Sequence, residues 1–311
     1  MKKYFSFQLQ GEEIFKYILL MLILVIVPAL LYLDATGWNQ SIPLQTSQAL
    51  WFGLLFLFVF FGGLAISFFF YKLSIENIEY DSIKPVFKGK LSEFLVIVLK
   101  GIFFTIITIG IYLPWFIKDL YGFFIDETSY QDSKFKFQAN GTDLLVIFIL
   151  AALIPLGILA LLLKNYFEVD HTFSFSKYFV NILETIAIAP FTFFYIRWII
   201  NIHYRNFDIK LDTDYMEGIG VILLQTFLAA LTIGIYYPLA YLKIYQYFLQ
   251  NTEVKNDIGE NLTLGYELDA VEDFLFIWGQ TLLSIITIGI YIPWAYCKVM
   301  KRVLGKTYIE K

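Results

Sequence analysis

The sequence predicts an all-α integral membrane protein built from tandem transmembrane helical hairpins. Three observations predict this class: long apolar runs, few charged residues, and an octapeptide that occurs three times. Of the 311 residues, 59% are hydrophobic and 20% aromatic, whereas only 16% are charged. Soluble domains carry about 25% charged residues, so the composition argues against an ordinary soluble protein.

Seven apolar runs approach or exceed the ~20 residues that a helix needs to cross a bilayer. Glu12 and Glu13 adjoin the first run and no small-residue cleavage site follows it, which is unlike a signal peptide. The first run is therefore predicted to remain as a membrane helix. The seven runs are 14–33, 50–71, 94–113, 144–163, 178–200, 219–237 and 274–292.

The octapeptide reads TIGIYLPW at 108–115, TIGIYYPL at 232–239 and TIGIYIPW at 287–294. Glycine loosens the backbone and proline cannot continue the hydrogen-bond ladder, so each copy predicts the end of a helix. Tyr and Trp rings settle at membrane–water interfaces, which favours a helix break at the headgroups over the alternative, the lining of a ligand path. The motif residues are Thr108, Gly110, Tyr112, Pro114 and Trp115, then Thr232, Gly234, Tyr236 and Pro238, and finally Thr287, Gly289, Tyr291, Pro293 and Trp294.

These octapeptides belong to a longer internal repeat. Adding 124 to the position of Glu93 gives Glu217, and adding a further 55 gives Glu272. We therefore predict three blocks. The first contains a two-helix unit and an octapeptide unit, the second repeats both, and the third is an extra octapeptide half. Their bounds are 1–128, 129–254 and 255–311.

Short segments between the apolar runs alternate apolar and polar residues, which is the period of a β-strand. With the turn residues beside them, they predict short β-hairpins outside the membrane. An acid then opens each following helix, where the positive end of the helix dipole favours a carboxylate; ion binding is the alternative. The alternating segments are 5–9, 135–137, 207–211 and 262–264, and the acids lie at 12, 13, 93, 143, 217 and 272.

Loop 34–49 has no Lys or Arg, whereas 72–92 contains four lysines. Basic loops stay in the cytoplasm, so the N-terminus is predicted to be cytoplasmic. The helix after each proline either stays on the far side, which gives seven spans, or turns back, which makes every unit a hairpin. The second arrangement is favoured because it keeps Lys298, Lys301 and Arg302 on the cytoplasmic side, as a lipid-facing basic cluster.

Four polar residues inside the apolar runs are the candidate functional residues, because such residues are costly in a bilayer and often functional. They are Lys100, Glu184, Gln225 and Gln280. The two glutamines align with each other and with Glu184 across the repeats. The favoured explanation is that Gln and Thr side chains hydrogen-bond between packed helices. The alternative is a polar path at one depth, in which Glu184 and Lys100 would form a buried pair.

No catalytic residue, cofactor or metal site is predicted, and the chain is expected not to be an enzyme. His171 and His203 lack the convergent partners that a metal needs. The single Cys297 allows no internal disulfide. Neither a phosphate-binding loop nor a nucleophile elbow occurs. The net charge of −4 and the lack of a basic stripe argue against a nucleic-acid partner.

The octapeptide, the helix that leads from it to Thr128 or Thr252, and the F-x-F segment that follows resemble the YjgN-like proteins. The resemblance extends over nearly the whole chain, although Leu239 stands where the other copies have Trp. It implies an integral protein of the bacterial inner membrane, in a family of unknown function with no catalytic residues to carry over. Genes of this type often lie beside a membrane zinc metallopeptidase, which makes such an enzyme an expected partner.

Two functions therefore remain open. One is a transporter or channel that moves a small solute or a lipid past the four polar residues. The other is a non-catalytic membrane scaffold or regulator of a partner membrane protein, such as the metallopeptidase. Membrane lipids are expected contacts in both cases. The repeats and intramembrane polar residues favour transport, whereas the modest length of the helices after the prolines favours the scaffold.

Overall fold

Five units of strand, helix pair and strand follow one another in the computed structural model, which describes residues 1–36, 46–163, 174–256 and 261–311. The first unit contains β1 (Lys2–Phe7), α1 (Gly11–Thr36), α2 (Thr46–Glu76) and β2 (Ile78–Tyr80). The second contains β3 (Val86–Phe87), α3 (Leu91–Ile107), α4 (Leu113–Asp126) and β4 (Thr128–Tyr130). The third contains β5 (Ser133–Phe137), α5 (Gly141–Leu162), α6 (Ser174–Ile199) and β6 (Asn201–Tyr204).

The last two units have the same order of elements. The fourth contains β7 (Phe207–Leu211), α7 (Tyr215–Leu231), α8 (Tyr237–Gln250) and β8 (Thr252–Asn256). The fifth contains β9 (Asn261–Tyr266), α9 (Ala270–Ile286), α10 (Ile292–Gly305) and β10 (Thr307–Glu310). The predicted acids do lie in the first turns of α1, α3, α5, α7 and α9, which confirms that part of the sequence analysis.

The described strands form one antiparallel sheet of ten strands, in the order β2-β1-β10-β9-β8-β7-β6-β5-β4-β3. Consecutive strands are neighbours except for β2 and β3, and β1 also pairs with β10, where Lys2 lies opposite Glu310. The two edge strands, β2 and β3, therefore follow each other in the chain. Tyr130 Oη of β4, next to β3, donates a hydrogen bond to the Tyr80 carbonyl of β2 at 2.8 Å. The structure is mainly helical, as predicted, and the predicted hairpins form between units, as β4–β5, β6–β7 and β8–β9. The all-α class is wrong, because the two strands of each unit also pair and join these hairpins into one sheet.

The helix pairs also contact one another in a cycle: α2 packs against α3, α4 against α5, α6 against α7, α8 against α9, and α10 against α1. Every pair leaves the sheet and returns to it. Each unit is therefore a hairpin, as the favoured arrangement predicted. An arrangement with seven spans, in which the helix after each proline remains on the far side, does not fit this connectivity.

The hairpins differ in length. Within the described residues, α1, α2, α5 and α6 are long and apolar enough to cross a membrane. The helices of the other three hairpins have 17 and 14 residues, about 25 and 21 Å at ~1.5 Å per residue. That is shorter than a hydrocarbon core of ~30 Å. The runs 94–113, 219–237 and 274–292 therefore provide helices shorter than the predicted crossing length, because each combines a short helix with a turn.

Buried side chains concentrate where the helices meet the sheet. The last residue of the first strand in each unit is buried against the helix ends of that region. Phe87, for example, packs with Phe68, Phe94 and Phe123, from three different helices. Farther from the sheet, the helices expose large aliphatic and aromatic side chains, as expected of surfaces that face lipid. The five strand residues are Phe7, Phe87, Phe137, Leu211 and Tyr266.

Candidate functional site

The three octapeptides form turns with one backbone conformation, in which an isoleucine and then a glycine have positive φ. The left-handed region costs a residue with a Cβ roughly 1–2 kcal/mol, whereas glycine adopts it without strain. The same strain at three turns indicates that the shape of the turn is required. The φ values are 50°, 52° and 51° at Ile109, Ile233 and Ile288, and 89°, 83° and 86° at Gly110, Gly234 and Gly289.

In each turn, backbone N–H groups donate hydrogen bonds to acceptors in the same segment. In the first copy, the Gly110 N–H donates to the Thr105 carbonyl at 2.7 Å. The Tyr112 N–H donates to Thr108 Oγ1 at 2.9 Å. The corresponding glycine bonds are also 2.7 Å in the other two copies, and the corresponding threonine bonds are 2.9 and 3.1 Å. The threonine hydroxyl therefore accepts a hydrogen bond from the tyrosine N–H at the start of the second helix, where no helix carbonyl is available.

Gln225 and Gln280 are bonded to the tyrosine of the turn in their own unit. Tyr236 Oη donates to Gln225 Oε1 at 2.8 Å, and Tyr291 Oη donates to Gln280 Oε1 at 2.9 Å. Gln225 is only 7% exposed. These contacts tie a helix to the turn that follows it, so the hydrogen-bonding explanation describes both glutamines better than an open polar path does.

Lys243 and Lys298 stand beside these same tyrosines. Lys298 Nζ donates to Tyr291 Oη at 2.8 Å, and Lys243 Nζ lies 5.7 Å from the centre of the Tyr236 ring. Lys243 was not among the predicted residues. The repeat could have identified Lys243, because Lys243 and Lys298 are separated by the same 55 positions as Gln225 and Gln280.

Asp273 is a carboxylate with no exposed surface at the start of α9. Its Oδ1 accepts hydrogen bonds from Arg302 Nε and Lys306 Nζ, both at 2.6 Å, and its Oδ2 accepts one from Tyr266 Oη at 3.2 Å. Burial alone would raise the pKa of the Asp273 carboxyl, but the bonds from Lys306 and Arg302 outweigh it and hold that pKa below its ordinary value.

The predicted basic cluster is consequently wrong for Arg302. That side chain is directed to Asp273 and also lies 3.2 Å from Glu272 Oε2, because an arginine beside a buried acid is more stable paired than facing lipid. Lys298 is bonded to the turn tyrosine, and Lys301 is exposed. Nothing in the sequence indicated which acid is buried, since Asp273 directly follows Glu272 and both fit the first turn of a helix.

The predicted buried pair of Lys100 and Glu184 is also wrong. Both side chains are exposed, on α3 and α6, and neither has a hydrogen bond or ion pair within the described residues. The two helices belong to different units, so the sequence carried no direct evidence that they meet. Glu184 lies about 22 Å along α6 from Ile199 at ~1.5 Å per residue.

Glu184 lines a groove of about 610 Å³ between α5 and α6. The rest of its described lining is apolar except for Thr185, and Lys100, Gln225 and Gln280 are not part of it. The structure therefore does not bring the four candidate residues together in one path. The described lining residues besides Glu184 are Leu156, Leu159, Ala160, Leu163, Thr185 and Ile188.

A family model for bacterial proteins of unknown function, DUF898, matches residues 82–257. This segment covers more than half of the chain. The chain belongs to the DUF898 family. The match confirms the YjgN-like resemblance over the second, third and fourth units, from β3 to β8, whereas the sequence analysis extended it over nearly the whole chain. No curated protein and no solved structure matches the chain.

In this DUF898 chain, the described residues contain no group of three or more His, Cys, Asp and Glu side chains suited to a metal ion. His203 lies in β6, where its Nδ1 is 2.8 Å from Asp208 Oδ1 of the neighbouring β7. The His203 contact is therefore part of the sheet surface. The other histidine, His171, lies outside the described residues.

Proposed function

We propose that this DUF898 protein binds at Glu184 an amphiphile whose head group carries an ammonium, and moves it between the leaflets of the bacterial inner membrane. The observation that carries the proposal is a carboxyl group with no partner among the described residues, in a groove whose other described lining residues are apolar except for Thr185. A charged side chain deep in a bilayer costs roughly 2.5–3.5 kcal/mol and is usually paired or faces a cavity. A bound ammonium group would supply the missing partner.

The depth of Glu184 supports movement rather than surface binding. About 22 Å from the sheet end of α6, the carboxyl group is beyond the middle of a hydrocarbon core of ~30 Å. A lipid head group normally lies at the surface, so a site for it at this depth suits a lipid in transit. The apolar side chains of the groove, such as Leu159 and Ile188, would contact the tail.

A lipid-exchange assay tests this function. The protein is placed in vesicles containing phosphatidylethanolamine with a fluorescent label on one acyl chain, and dithionite measures how fast the inner leaflet becomes accessible. The wild type should accelerate exchange. Glu184→Gln should slow it at least about ten-fold, because a charge-assisted hydrogen bond contributes about 1.5–3 kcal/mol and each 1.4 kcal/mol is a factor of ten.

Lys100→Met is the matched control, because Lys100 is an exposed charge with no partner among the described residues, and its helix is not part of the described lining of the groove. It should leave the exchange rate unchanged. Exchange no faster than in protein-free vesicles, or equal rates for the wild type and Glu184→Gln, would exclude the proposed function.

A second candidate is a non-catalytic scaffold or regulator of a partner membrane protein such as a metallopeptidase. It is favoured by the bonds of Gln225 and Gln280 to turn tyrosines, which remove two of four residues from the polar path. Native mass spectrometry of the protein released gently from its own membrane separates the two. A second protein at fixed stoichiometry favours the scaffold, and a retained amphiphile that is lost in Glu184→Gln favours transport.

The orientation is part of the same proposal: the sheet and the N-terminus lie in the cytoplasm. The lysines of 72–92, around β2 and β3, support it through the rule that basic segments remain inside. A single cysteine introduced at Ser82, with the buried Cys297 replaced by Ala, tests it. An impermeant thiol reagent should label this position only after the membrane is opened; labelling of intact cells would reverse the orientation.

A further inference from the structure

The turns at the ends of the three short hairpins, at 108–112, 232–236 and 287–291, are called the tips. They are uncharged and highly exposed. Ile109, Ile233 and Ile288 are 94%, 84% and 93% exposed. No charged residue occurs in 101–117, 218–242 or 274–297, the segments that contain the tips. Exposed isoleucine at three equivalent places, without a neighbouring charge, is unfavourable in water and suits hydrocarbon.

The backbone of these tips is equally suited to hydrocarbon. An unsatisfied N–H in a bilayer core costs several kcal/mol, so irregular segments are rare there. In the first tip, every N–H from Thr108 to Phe116 donates to a carbonyl or to Thr108 Oγ1, except at Pro114, which has no N–H. Pro238 and Pro293 occupy the same position in the other two tips. The strained isoleucine and the threonine together allow a turn whose N–H groups need no water.

The tips lie partway up the neighbouring helices. Ile109 and Ile111 line a groove of about 520 Å³ with Ile149 and Leu153 of α5, which are ~12–18 Å along that helix from Gly141. In the fourth unit, Trp278 Nε1 donates to the Ile235 carbonyl at 2.7 Å. Trp278 is likewise ~12 Å along α9 from its first residue, Ala270. Both tips thus contact their neighbours at about half the thickness of a ~30 Å core. The helices that lead to them are ~21–25 Å long, so they must be inclined to those neighbours.

From this geometry we infer that the three short hairpins are re-entrant: they enter the leaflet beside the sheet, end among its acyl chains, and return without crossing. Within the described residues, the four long helices are long and apolar enough to cross both leaflets. Among the described helices, all ten therefore enter the leaflet beside the sheet, and four continue into the opposite leaflet. This inference is independent of the amphiphile groove and of any transport.

Depth measurements on the full chain test this inference. Single cysteines at Ile109, Ile233 and Ile288 are labelled with a nitroxide in vesicles of phosphatidylethanolamine and phosphatidylglycerol, in a Cys297→Ala background. Accessibility to oxygen and to a water-soluble nickel complex then gives the depth of each label. We expect all three labels in hydrocarbon, about 12–18 Å from the sheet side.

Two reference labels calibrate the depth. Lys134→Cys in β5 should lie in water, and Ile158→Cys in α5 should lie nearer the far surface than any tip, at ~26 Å from Gly141. A tip label in water, on either side of the membrane, would overturn the inference. Should one of the tip substitutions prevent folding, Ile111, Ile235 and Ile290 provide neighbouring exposed positions without positive φ.

Discussion

The indole ring of Trp115 lies directly on Gly141, the first residue of α5. A Cβ at Gly141 would be 2.6 Å from Trp115 Cδ1 and 2.9 Å from its Cα. Trp294 has the same relation to Gly11 at the start of α1, and its Nε1 donates to Glu12 Oε1 at 3.0 Å. In the two octapeptides that have it, the tryptophan therefore joins its hairpin to the first helix of the adjacent unit, a contact that was not predicted from the sequence.

Gly141→Ala should destabilise the protein by about 1–3 kcal/mol, because the added methyl group meets backbone as well as side-chain atoms. Gly157→Ala is the control in the same helix, since a Cβ there meets nothing within 4 Å and alanine favours helix. Denaturant titration in one detergent measures both. Equal stabilities would show that the contact relaxes without cost.

Asp273→Asn should destabilise the protein by about 3–5 kcal/mol, because it leaves Arg302 and Lys306 beside a neutral group in a buried site. Glu272→Gln should cost less than about 1 kcal/mol, since Glu272 pairs with the same arginine from an exposed position. Thermal unfolding of the two variants compares them. A larger effect at Glu272 would contradict this account of the cluster.

The pH dependence follows from the pKa of Asp273, which lies below its ordinary value of 3.8 in the folded protein. A carboxyl with a lowered folded-state pKa contributes stability above its unfolded pKa, and this is lost as the pH falls through the folded pKa. The unfolding temperature of the wild type should therefore drop more than that of Asp273→Asn below about pH 4. Parallel curves would mean that other acids dominate.

Tyr236→Phe and Tyr291→Phe should each cost about 1 kcal/mol or more, because each leaves a glutamine oxygen without its donor. Tyr291→Phe should cost more, since Lys298 also loses its acceptor. Tyr112→Phe is the control, as Gly101 occupies the position of the glutamines in that unit. Denaturant titration of the three variants should give this order; a cost at Tyr112 as large as at Tyr291 would refute it.

Thr232→Val should cost about 1–3 kcal/mol, because it removes the oxygen that accepts the Tyr236 N–H at 2.9 Å. Thr232→Ser retains the hydroxyl and should be close to the wild type. Unfolding in detergent measures the difference. A valine variant as stable as the serine variant would show that the turn does not depend on this bond.

The sequence predicted the features that depend on neighbouring residues. Alternation located strands such as Phe207–Leu211, and the Gly–Pro spacing located the three turns. It did not predict one sheet, since the pairing of Lys2 with Glu310 depends on contacts between distant segments. Nor did it distinguish Asp273 from Glu272, because adjacent residues on a helix point about 100° apart and only packing decides which is buried.

The internally completed hydrogen bonds of the short hairpins also bear on the order of folding. A turn that draws its bonds from within about ten residues can form as soon as that segment is made, since local contacts close quickly. The pairing of β1 with β10 joins the opposite ends of the described chain, and the entropic cost of closing a loop grows with its length. Each short hairpin should therefore be complete while the protein is still being synthesised, and the β1–β10 pairing should form last.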